Sequence, residues 1–404
     1  MLKKIALHWQ IFIGLILGLL FGLTFGKAVD YIAWIGTLFI QALKMIIIPL
    51  IFTSIISGVT NIGSGNNFGR LFGKTFSYYI VTSLFAISAG LLFVNIIQPG
   101  VGAEISLAAK VEEIDGATGS FTTTLMKIIP TNVFQAMASG NMLSIIFFAM
   151  LIGFFITKVE SKHKNLLIDF FNAGFDVMMK VTMFIIKFTP IGVFALVAKL
   201  MASQEHPFGT IQSLGLYMIT VVLALLFHAV IVLPSIVKFI GNISPVKHFK
   251  ALTGPLLTAF STSSSNATLP FTIEAVEDNS GVSNKITSFT LPLGATINMD
   301  GTALYEGVAV MFIAQAYGIE LGILQQVIVL ITALLASIGA AAIPMAGLVM
   351  MTIILTAVGL PLEGIALILP VDRILDMCRT MVNVWSDSCG AVLIAKSEGE
   401  ELKV

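Results

Sequence analysis

The last apolar segment of the chain carries a set of polar side chains at helical spacing. The set is Asp372, Asp376, Arg379, Thr380, Asn383 and Asp387. At 100° per residue these positions fall within an arc of roughly 100°, so they form a single stripe on one helix face. Placing a charged side chain at the centre of a bilayer costs about 2.5–3.5 kcal/mol. Ion pairs that only hold helices together rarely stabilise a protein better than apolar packing does. The stripe therefore predicts a polar binding site.

The residue types of the stripe describe a ligand. Arg379 offers a planar fork that matches a carboxylate, and Asp376, one turn away, offers an anion for an ammonium group. We expect these two side chains to face a shared cavity rather than each other. Asp387 and Asn383 supply hard oxygens, which suit a small hard cation. Arg373 diverges from the stripe and is expected to snorkel or to pair locally.

A second constellation interrupts an apolar helix at residues 296–302, which read Thr-Ile-Asn-Met-Asp-Gly-Thr. Asn, Asp and Gly in succession are poor helix formers, so an unwound turn would expose carbonyls that form a cation cage with Asp300. A kink that holds a structural water is the alternative. Glu306 lies four residues after Thr302 on the same face. A carboxyl group is costly to ionise in a dehydrated site, which makes Glu306 a candidate proton carrier unless a base pairs with it permanently.

Two further polar groups are weaker signals. The serine-rich run at 262–268 offers hydroxyls and backbone amides that can hold a carboxylate, although such runs are often plain turns. Tyr79, Thr82 and Ser83 share one helix face at spacings of three and four residues. Taken alone, they indicate polar groups that pack helices together.

Composition places these residues in a membrane protein. Of 404 residues, 57% are hydrophobic and 11% are charged, and the mean hydropathy is +0.98, whereas soluble domains carry about 25% charged residues. The net charge is zero, which gives no indication of nucleic-acid binding. Cys378 and Cys389 would lie ~16 Å apart on one helix, too far for a disulfide.

Apolar runs long enough to cross a bilayer of about 30 Å define the element order. They lie near 9–28, 33–58, 76–98, 123–157, 168–200 and 212–240, and the fourth is long enough to be broken or tilted. From about 245 onward the runs are short and interrupted by polar residues, glycine and proline. Interrupted backbone survives in a membrane only inside protein or beside a water-filled cavity. The working site is therefore expected in the C-terminal half.

Two interrupted segments are expected to form re-entrant hairpins, at about 248–276 and 325–358. Each arm spans only ~10–14 residues, about half a bilayer. Each hairpin precedes a helix with polar side chains, at 286–316 and 362–394. This pairing predicts an internal repeat with the site between its halves.

The charged loops predict the orientation. Lysines and arginines fall on one side of the membrane if the six spans alternate, and the acidic loop at 104–115 falls on the other. Both termini are therefore expected in the cytoplasm. The apolar run from Trp9 to about Phe25 is long for a cleaved signal, so we expect a retained first transmembrane helix.

These motifs together resemble the glutamate transporter family, the dicarboxylate/amino acid:cation symporters. The matching motifs are Ser264-Ser265 with Thr268-Leu269-Pro270, Asn298 to Thr302, Ser337-Ile338-Gly339 with Pro344, and Asp376 to Asp387. Their order agrees over about 250–396, and the hydropathy of the first half fits as well. The resemblance covers essentially the whole chain.

The resemblance implies an all-α integral membrane protein of the elevator type, with eight transmembrane helices and two re-entrant helical hairpins. Residues 1–245 would be mostly scaffold and trimerisation region, with the spans near 76–98 and 212–240 joining the transport domain. Residues 246–404 would form the transport core, with the second hairpin as gate. The protein would be a homotrimer in the cell membrane, in contact with lipid, and would carry L-glutamate or L-aspartate with Na⁺ and H⁺.

The resemblance also assigns site residues. The substrate set would be Ser264, Ser265, Thr302, Ile343, Gly347, Asp376, Arg379, Thr380 and Asn383. One sodium site would use Gly294, Asn298, Asn383 and Asp387. Another would use Tyr79, Thr82, Ser83, Asn298 and Asp300. A third would use backbone carbonyls near Thr296, Ser337, Ile338 and Ala340, together with Met299. Glu306 matches the proton-coupled members, where sodium-only members have glutamine.

The chain departs from the family pattern at four positions. Ser263 and Met377 stand where archaeal and animal members, respectively, carry an arginine, and this puts potassium counter-transport in doubt. Ala342 replaces a glycine at the tip of the gate, and Asn266 interrupts the serine run.

Other functions fit the residues less well. A C4-dicarboxylate symporter would leave Asp376 without an ammonium partner, and members that carry neutral amino acids lack a cation at position 379. An intramembrane hydrolase is disfavoured because the five histidines lie away from the serine run and the acidic stripe in sequence. A channel is disfavoured because a convergent charged pocket indicates saturable binding.

Overall fold

The computed structural model describes most of the chain as α-helices. The described residues are 7–61, 68–102, 129–139, 142–202, 207–339 and 346–404. Within these ranges the residues form helices joined by turns, and no strand occurs. The all-α prediction therefore agrees with the described part of the chain.

Helices in the first half occupy the predicted apolar runs, but the run predicted as one span at 168–200 forms two helices with a break between Ile186 and Thr189. They are α1 (Leu7–Phe25), α2 (Asp30–Asn61), α3 (Phe68–Ile97), α4 (Val133–Ser139), α5 (Met142–Ile156), α6 (Ser161–Ile186), α7 (Thr189–Ala202), α8 (Pro207–Phe227) and α9 (Leu233–Phe239). The helices α6 and α7 meet at a bend of 54°. Pro190 lies in the first turn of α7, where a residue without an N–H is tolerated.

Among the described residues, Arg70–Ile97 and Gln212–Phe239 are each long and apolar enough to cross a membrane. The bent pair of α6 and α7 adds a third if the two helices together form one broken span. Shorter apolar helices, such as Ile13–Phe25 and Ile323–Ser337, accompany them. The number of eight spans stays a prediction.

The second half forms shorter helices and one long one. They are α10 (Pro245–Ala251), α11 (Thr253–Thr262), α12 (Ser265–Asp278), α13 (Asn284–Ile297), α14 (Asp300–Ala316), α15 (Ile323–Gly339), α16 (Ala346–Ala357) and α17 (Ile365–Ser397). In the first predicted hairpin, the chain turns between α11 and α12 at Ser263, whose φ is 51°. The Ser264 hydroxyl then accepts the N–H of Ala267 and caps α12. The turn of the second hairpin, including Ala340 and Ile343, lies outside the described residues.

The predicted unwound turn separates α13 from α14. Asn298 and Met299 have non-helical backbone angles, with ψ of 82° and 55°. Helix α14 therefore begins inside the protein, where its first N–H groups need partners from outside the helix. Asp300, the first residue of α14, is fully buried.

Helix α17 lies at the centre of the second half and packs against α8, α11, α13 and α14. The helices α3 and α8 pack against α14. In the rest of the first half, α1 packs on α7, and α2 packs on α5, α6 and α7. Both arms of the second hairpin, α15 and α16, also contact α2.

The end of the chain ties three of these helices together. Glu398, just after α17, accepts hydrogen bonds from Lys74 at 2.6 Å and from Arg70, both on α3. These two bonds hold the pKa of Glu398 below its usual range. Glu400 accepts the N–H of Ser283 at 2.9 Å, immediately before α13. Helices that carry predicted site residues are thus fixed to α17 at one edge.

Candidate functional site

One small cavity brings together most of the residues predicted to bind substrate. Its walls are Ser263, Ser264, Ser265, Met299, Thr302, Gly347, Asp376, Arg379, Thr380 and Asn383. Eight of the nine predicted substrate residues are among them, and the ninth, Ile343, lies outside the described residues. The cavity measures about 20 Å³, roughly the room for one water. A larger ligand therefore requires movement of the walls.

Arg379 is the principal charged group in the cavity wall, and its side chain is 1% exposed. Its Nε donates to Asp376 Oδ1 at 2.9 Å, and its Nη1 donates to Asp372 Oδ1 at 3.1 Å. The guanidinium lies 4.2 Å from the ring centre of Tyr305, whose hydroxyl donates to Asp372 at 2.8 Å. Nη2 has no hydrogen-bond partner among the described residues. Within the described residues, Nη2 is therefore the guanidinium nitrogen that is left without a hydrogen bond.

The structure corrects one expectation about this pair. Arg379 and Asp376 were expected to face a shared cavity rather than each other, yet they are hydrogen bonded directly. Opposite charges three residues apart on one helix face attract strongly where the dielectric is low. Arg373 pairs locally with Asp376 at 3.4 Å, as predicted. Asp372 lies on the predicted stripe, but it was not predicted to be a partner of Arg379.

A cluster of oxygen atoms surrounds Asp300, as the second predicted sodium set requires. The Ser83 hydroxyl donates to Asp300 Oδ1 at 2.6 Å. The Thr82 hydroxyl lies 3.4 Å from the same atom and 3.4 Å from Asn298 Oδ1. The Tyr79 hydroxyl, also buried, donates to a backbone carbonyl of α13 at 2.8 Å. Hydroxyl, amide and carboxylate oxygens of this kind are ligands for hard cations.

The first predicted sodium set adjoins this cluster. Asn298 Nδ2 donates to Asp387 Oδ1 at 2.8 Å. A Cβ atom at Gly294 would lie 2.5 Å from that oxygen and 2.7 Å from the Tyr79 hydroxyl, so only glycine fits there. Asn383, which belongs to the same set, instead accepts the N–H of Gly301 at 2.7 Å, at the start of α14. Its amide also donates to Thr302 at 3.1 Å, which links it to the cavity.

The third predicted sodium set is only partly described. Thr296 is exposed and Ser337 is buried, and each hydroxyl donates to a carbonyl of its own helix. Met299 packs in an apolar cluster with Ala336, next to Ser337. Ile338 belongs to α15, and Ala340 lies outside the described residues. No hydrogen bond joins Thr296 to Ser337 in the described part of the chain.

His228 is a site residue that the sequence analysis did not assign. Its Nε2 is 3.0 Å from Asp300 Oδ2, and both side chains are fully buried. The Ser386 hydroxyl donates to the same carboxylate oxygen at 2.6 Å. His228 opens a π-helical turn, His228–Val232, six residues before Pro234. In the sequence, His228 could have been identified as a polar residue inside a long apolar span. Ser386 could have been identified because it continues the helical spacing of the stripe.

Glu306 is fully buried in α14, one turn beyond Thr302. Neither of its carboxylate oxygens has a hydrogen-bond partner among the described residues. No base pairs with Glu306 in that part of the chain, so the alternative of a permanent ion pair has no support there. An unpaired buried carboxyl group favours its neutral form.

Comparisons with known proteins support a single family. A model of the sodium:dicarboxylate symporter family matches residues 7–397. The proton/sodium-glutamate symport protein of Geobacillus stearothermophilus is 38% identical over 99% of this chain and 96% of its own. The proton/glutamate-aspartate symporter of Escherichia coli (strain K12) is 35% identical over 98% and 93%, respectively. Excitatory amino acid transporter 3 of Homo sapiens is 37% identical over 92% and 80%.

Proposed function

This chain belongs to the sodium:dicarboxylate symporter family, and from that premise we propose that it is a secondary active symporter of L-glutamate or L-aspartate, driven by Na⁺ and H⁺. Its relatives are named as glutamate and glutamate-aspartate symporters coupled to sodium or protons. The observation that carries the substrate assignment is the buried Nη2 of Arg379 in the wall of the cavity, which has no partner in the part of the chain that the structure describes.

The geometry supports a specific division of roles. The side-chain carboxylate of the substrate binds Nη2 of Arg379. The ammonium group of the substrate binds Asp376 and replaces the guanidinium as its partner. Asp372 and Tyr305 stay bound to Arg379 during this exchange. Hydroxyl and amide groups from the first hairpin, α14 and α17 complete the pocket. Sodium ions bind the oxygen clusters at Asp300 and Asp387, and Glu306 carries the proton.

The whole-molecule proposal follows the same family. Eight spans and two hairpins form a scaffold and a transport domain that moves like an elevator in each protomer of a homotrimer. The helices α3 and α8 travel with residues 246–404, which is supported by their packing on α14. The second hairpin is the gate, because Gly347 in α16 lies directly against the guanidinium. The protein lies in a cell membrane, with both termini on the cytoplasmic side.

Replacing Arg379 tests the substrate assignment. The Arg379→Ala variant should lose sodium-dependent uptake of labelled aspartate into proteoliposomes by at least about 100-fold, because a desolvated charged hydrogen bond contributes roughly 3 kcal/mol. Arg373→Ala is the matched control, since its side chain is 28% exposed and pairs only locally. Unchanged aspartate binding in a folded Arg379→Ala variant would remove the basis of the assignment.

A C4-dicarboxylate symporter is the second candidate, because the family description names dicarboxylates, a class that includes both kinds of substrate. Succinate has no ammonium group for Asp376. If succinate competes with labelled aspartate as well as glutamate does, the dicarboxylate assignment replaces the amino-acid one.

Replacing Glu306 tests the proton role. Uptake by the parent should make the external medium more alkaline, and Glu306→Gln should keep sodium-driven uptake while losing this alkalinisation. Glu274→Gln, at an exposed position of α12, is the control. A Glu306→Gln variant that still carries protons with the substrate would exclude this residue as carrier.

A further inference from the structure

A patch of exposed lysines and exposed apolar side chains surrounds the connection between α9 and α10. Its members are Lys238, Phe239, Ile240, Val246, Lys247, Phe249 and Lys250, and we call it the basic–aromatic patch. Phe239, Ile240 and Val246 are 79%, 77% and 65% exposed. The three lysines are exposed as well. Such a combination of large exposed apolar groups with one sign of charge is unusual on a surface that faces water alone.

Short-range geometry holds the patch together. The chain reverses between α9 and α10 through Asn242, whose φ is 51°. Ser244 caps α10 by accepting the N–H of Lys247. On α10, His248 is buried with its ring stacked 5.2 Å from Trp385 of α17. This anchor turns Lys247, Phe249 and Lys250 outward.

The charge of the patch is not neutralised by the protein. The sequence contains no Asp or Glu from 206 to 273, whereas it contains all three lysines in that range. No salt bridge to these lysines occurs in the part of the chain that the structure describes. The next acidic residues along the hairpin, Glu274 and Asp278, line another groove with Gly254 and Thr258. Among the described residues, the three ammonium groups therefore have no counter-charge.

The position of the patch indicates which part of the membrane it contacts. The apolar span Gln212–Phe239 ends inside it, so the patch lies where a membrane-crossing helix leaves the hydrocarbon. Lysines at this depth extend their ammonium groups to the headgroup layer, while aromatic side chains stay at the boundary. An anionic phospholipid matches both parts, with phosphate against lysine and acyl chain against the apolar side chains.

We propose that the basic–aromatic patch is a binding site for an anionic phospholipid at the entry to the first hairpin. The lipid phosphate contacts Lys238, Lys247 and Lys250, and an acyl chain lies along Phe239, Ile240 and Val246. Because α10 leads directly into α11, this lipid sits at the base of the hairpin that carries Ser263 to Ser265. The proposal does not depend on which substrate the protein carries.

Lipid retention measures the site. The full-length protein is reconstituted in nanodiscs with equal amounts of phosphatidylcholine and phosphatidylglycerol, and retained lipids are identified by native mass spectrometry. The parent should retain phosphatidylglycerol preferentially. The triple variant Lys238→Gln/Lys247→Gln/Lys250→Gln should lose this preference by at least about tenfold, because each lysine contributes to binding an anionic surface.

A matched control removes the same charge elsewhere. Lys158→Gln/Lys162→Gln/Lys180→Gln changes three exposed lysines that have Glu160, Asp169 and Asp176 nearby in sequence, and it should keep the preference. Phe239→Ser/Val246→Ser keeps the charge but removes apolar contact, so it should weaken retention severalfold. Single Lys247→Gln and Lys250→Gln variants give intermediate losses if the triple variant does not fold.

Three results would overturn the proposal. One is full retention of phosphatidylglycerol by the patch variant, and another is an equal loss in the control variant, which would indicate net charge alone. The third is displacement of the lipid by inorganic phosphate, which would indicate a site for a free anion. Uptake of labelled aspartate, measured on the same samples, reports separately on the substrate site.

Discussion

The charge around Arg379 gives a physical reason for coupling substrate to cations. The carboxylates Asp372 and Asp376 are balanced in charge by Arg379 and Arg373, which bond to them at 2.9–3.4 Å. Glutamate or aspartate brings two carboxylates and one ammonium, which adds an uncompensated charge of −1. In a site of low dielectric such a sum is costly unless cations enter with the substrate. The oxygen clusters at Asp300 and Asp387 are the places that we propose for them.

Gly347 is expected to be a residue-scale determinant of substrate affinity. A Cβ atom there would lie 2.7 Å from Arg379 Nη1 and 3.0 Å from Cζ and Nη2. The Gly347→Ala variant should therefore displace the guanidinium and raise the KM for aspartate about tenfold, a loss of about 1.4 kcal/mol. Initial rates of uptake in proteoliposomes measure the change.

Gly254→Ala, on the first hairpin, is the control for this experiment. A Cβ atom at Gly254 meets nothing within 4 Å, so the KM should stay at the parental value. A parental KM in the Gly347→Ala variant would contradict the contact between α16 and Arg379.

At the scale of helices, a glycine ladder sets the distance between α1 and α7. Gly14, Gly18 and Gly22 are spaced by four residues and face the backbone of α7. A Cβ atom at these positions would lie 2.3–2.6 Å from carbonyl oxygens of α7. Small residues at this spacing let two helices approach closely inside a membrane, where no hydrophobic effect drives them together.

Enlarging the central glycine should separate this helix pair. We expect Gly18→Leu to lower stability by about 1–3 kcal/mol, as overpacking commonly does. The thermal midpoint in detergent, followed by size-exclusion chromatography, measures the loss. Gly58→Leu on α2, where a Cβ atom meets nothing within 4 Å, should change it less. Equal losses in the two variants would mean that the ladder has no special role.

At the scale of the whole molecule, the second hairpin joins the two halves of the chain. Ile55 and Ile56 of α2 share one buried apolar cluster with Met350 and Ile353 of α16 and Ala336 of α15. The first hairpin, in contrast, packs on α13 and α17 within the second half. An elevator movement would have to break the apolar contact between α2 and the second hairpin in every cycle.

A cross-link across this contact tests the elevator proposal. With Cys378 and Cys389 replaced by alanine, the pair Ile55→Cys/Ile353→Cys should be joined by Hg²⁺, and uptake should fall by more than about tenfold. Each single-cysteine variant is a control that Hg²⁺ should leave active. Undiminished uptake by the cross-linked protein would show that α2 and the hairpin need not separate.

The sequence by itself determined the membrane class, the element order, the two interrupted segments and the polar stripe of α17. Hydropathy and helical spacing are local properties, so they can be read from the sequence without knowledge of the fold. The unwound turn at Asn298 and Met299 was predictable for the same reason, because poor helix formers are adjacent there.

Only the tertiary structure decided which polar groups meet. It joined His228 to Asp300 across 72 positions of the chain, and it brought Ser83 of α3 to the same carboxyl group. Such contacts depend on how helices cross, which leaves no periodic trace in the sequence. Spacing along one helix predicted the stripe, whereas packing between helices selected the partners of Asp300.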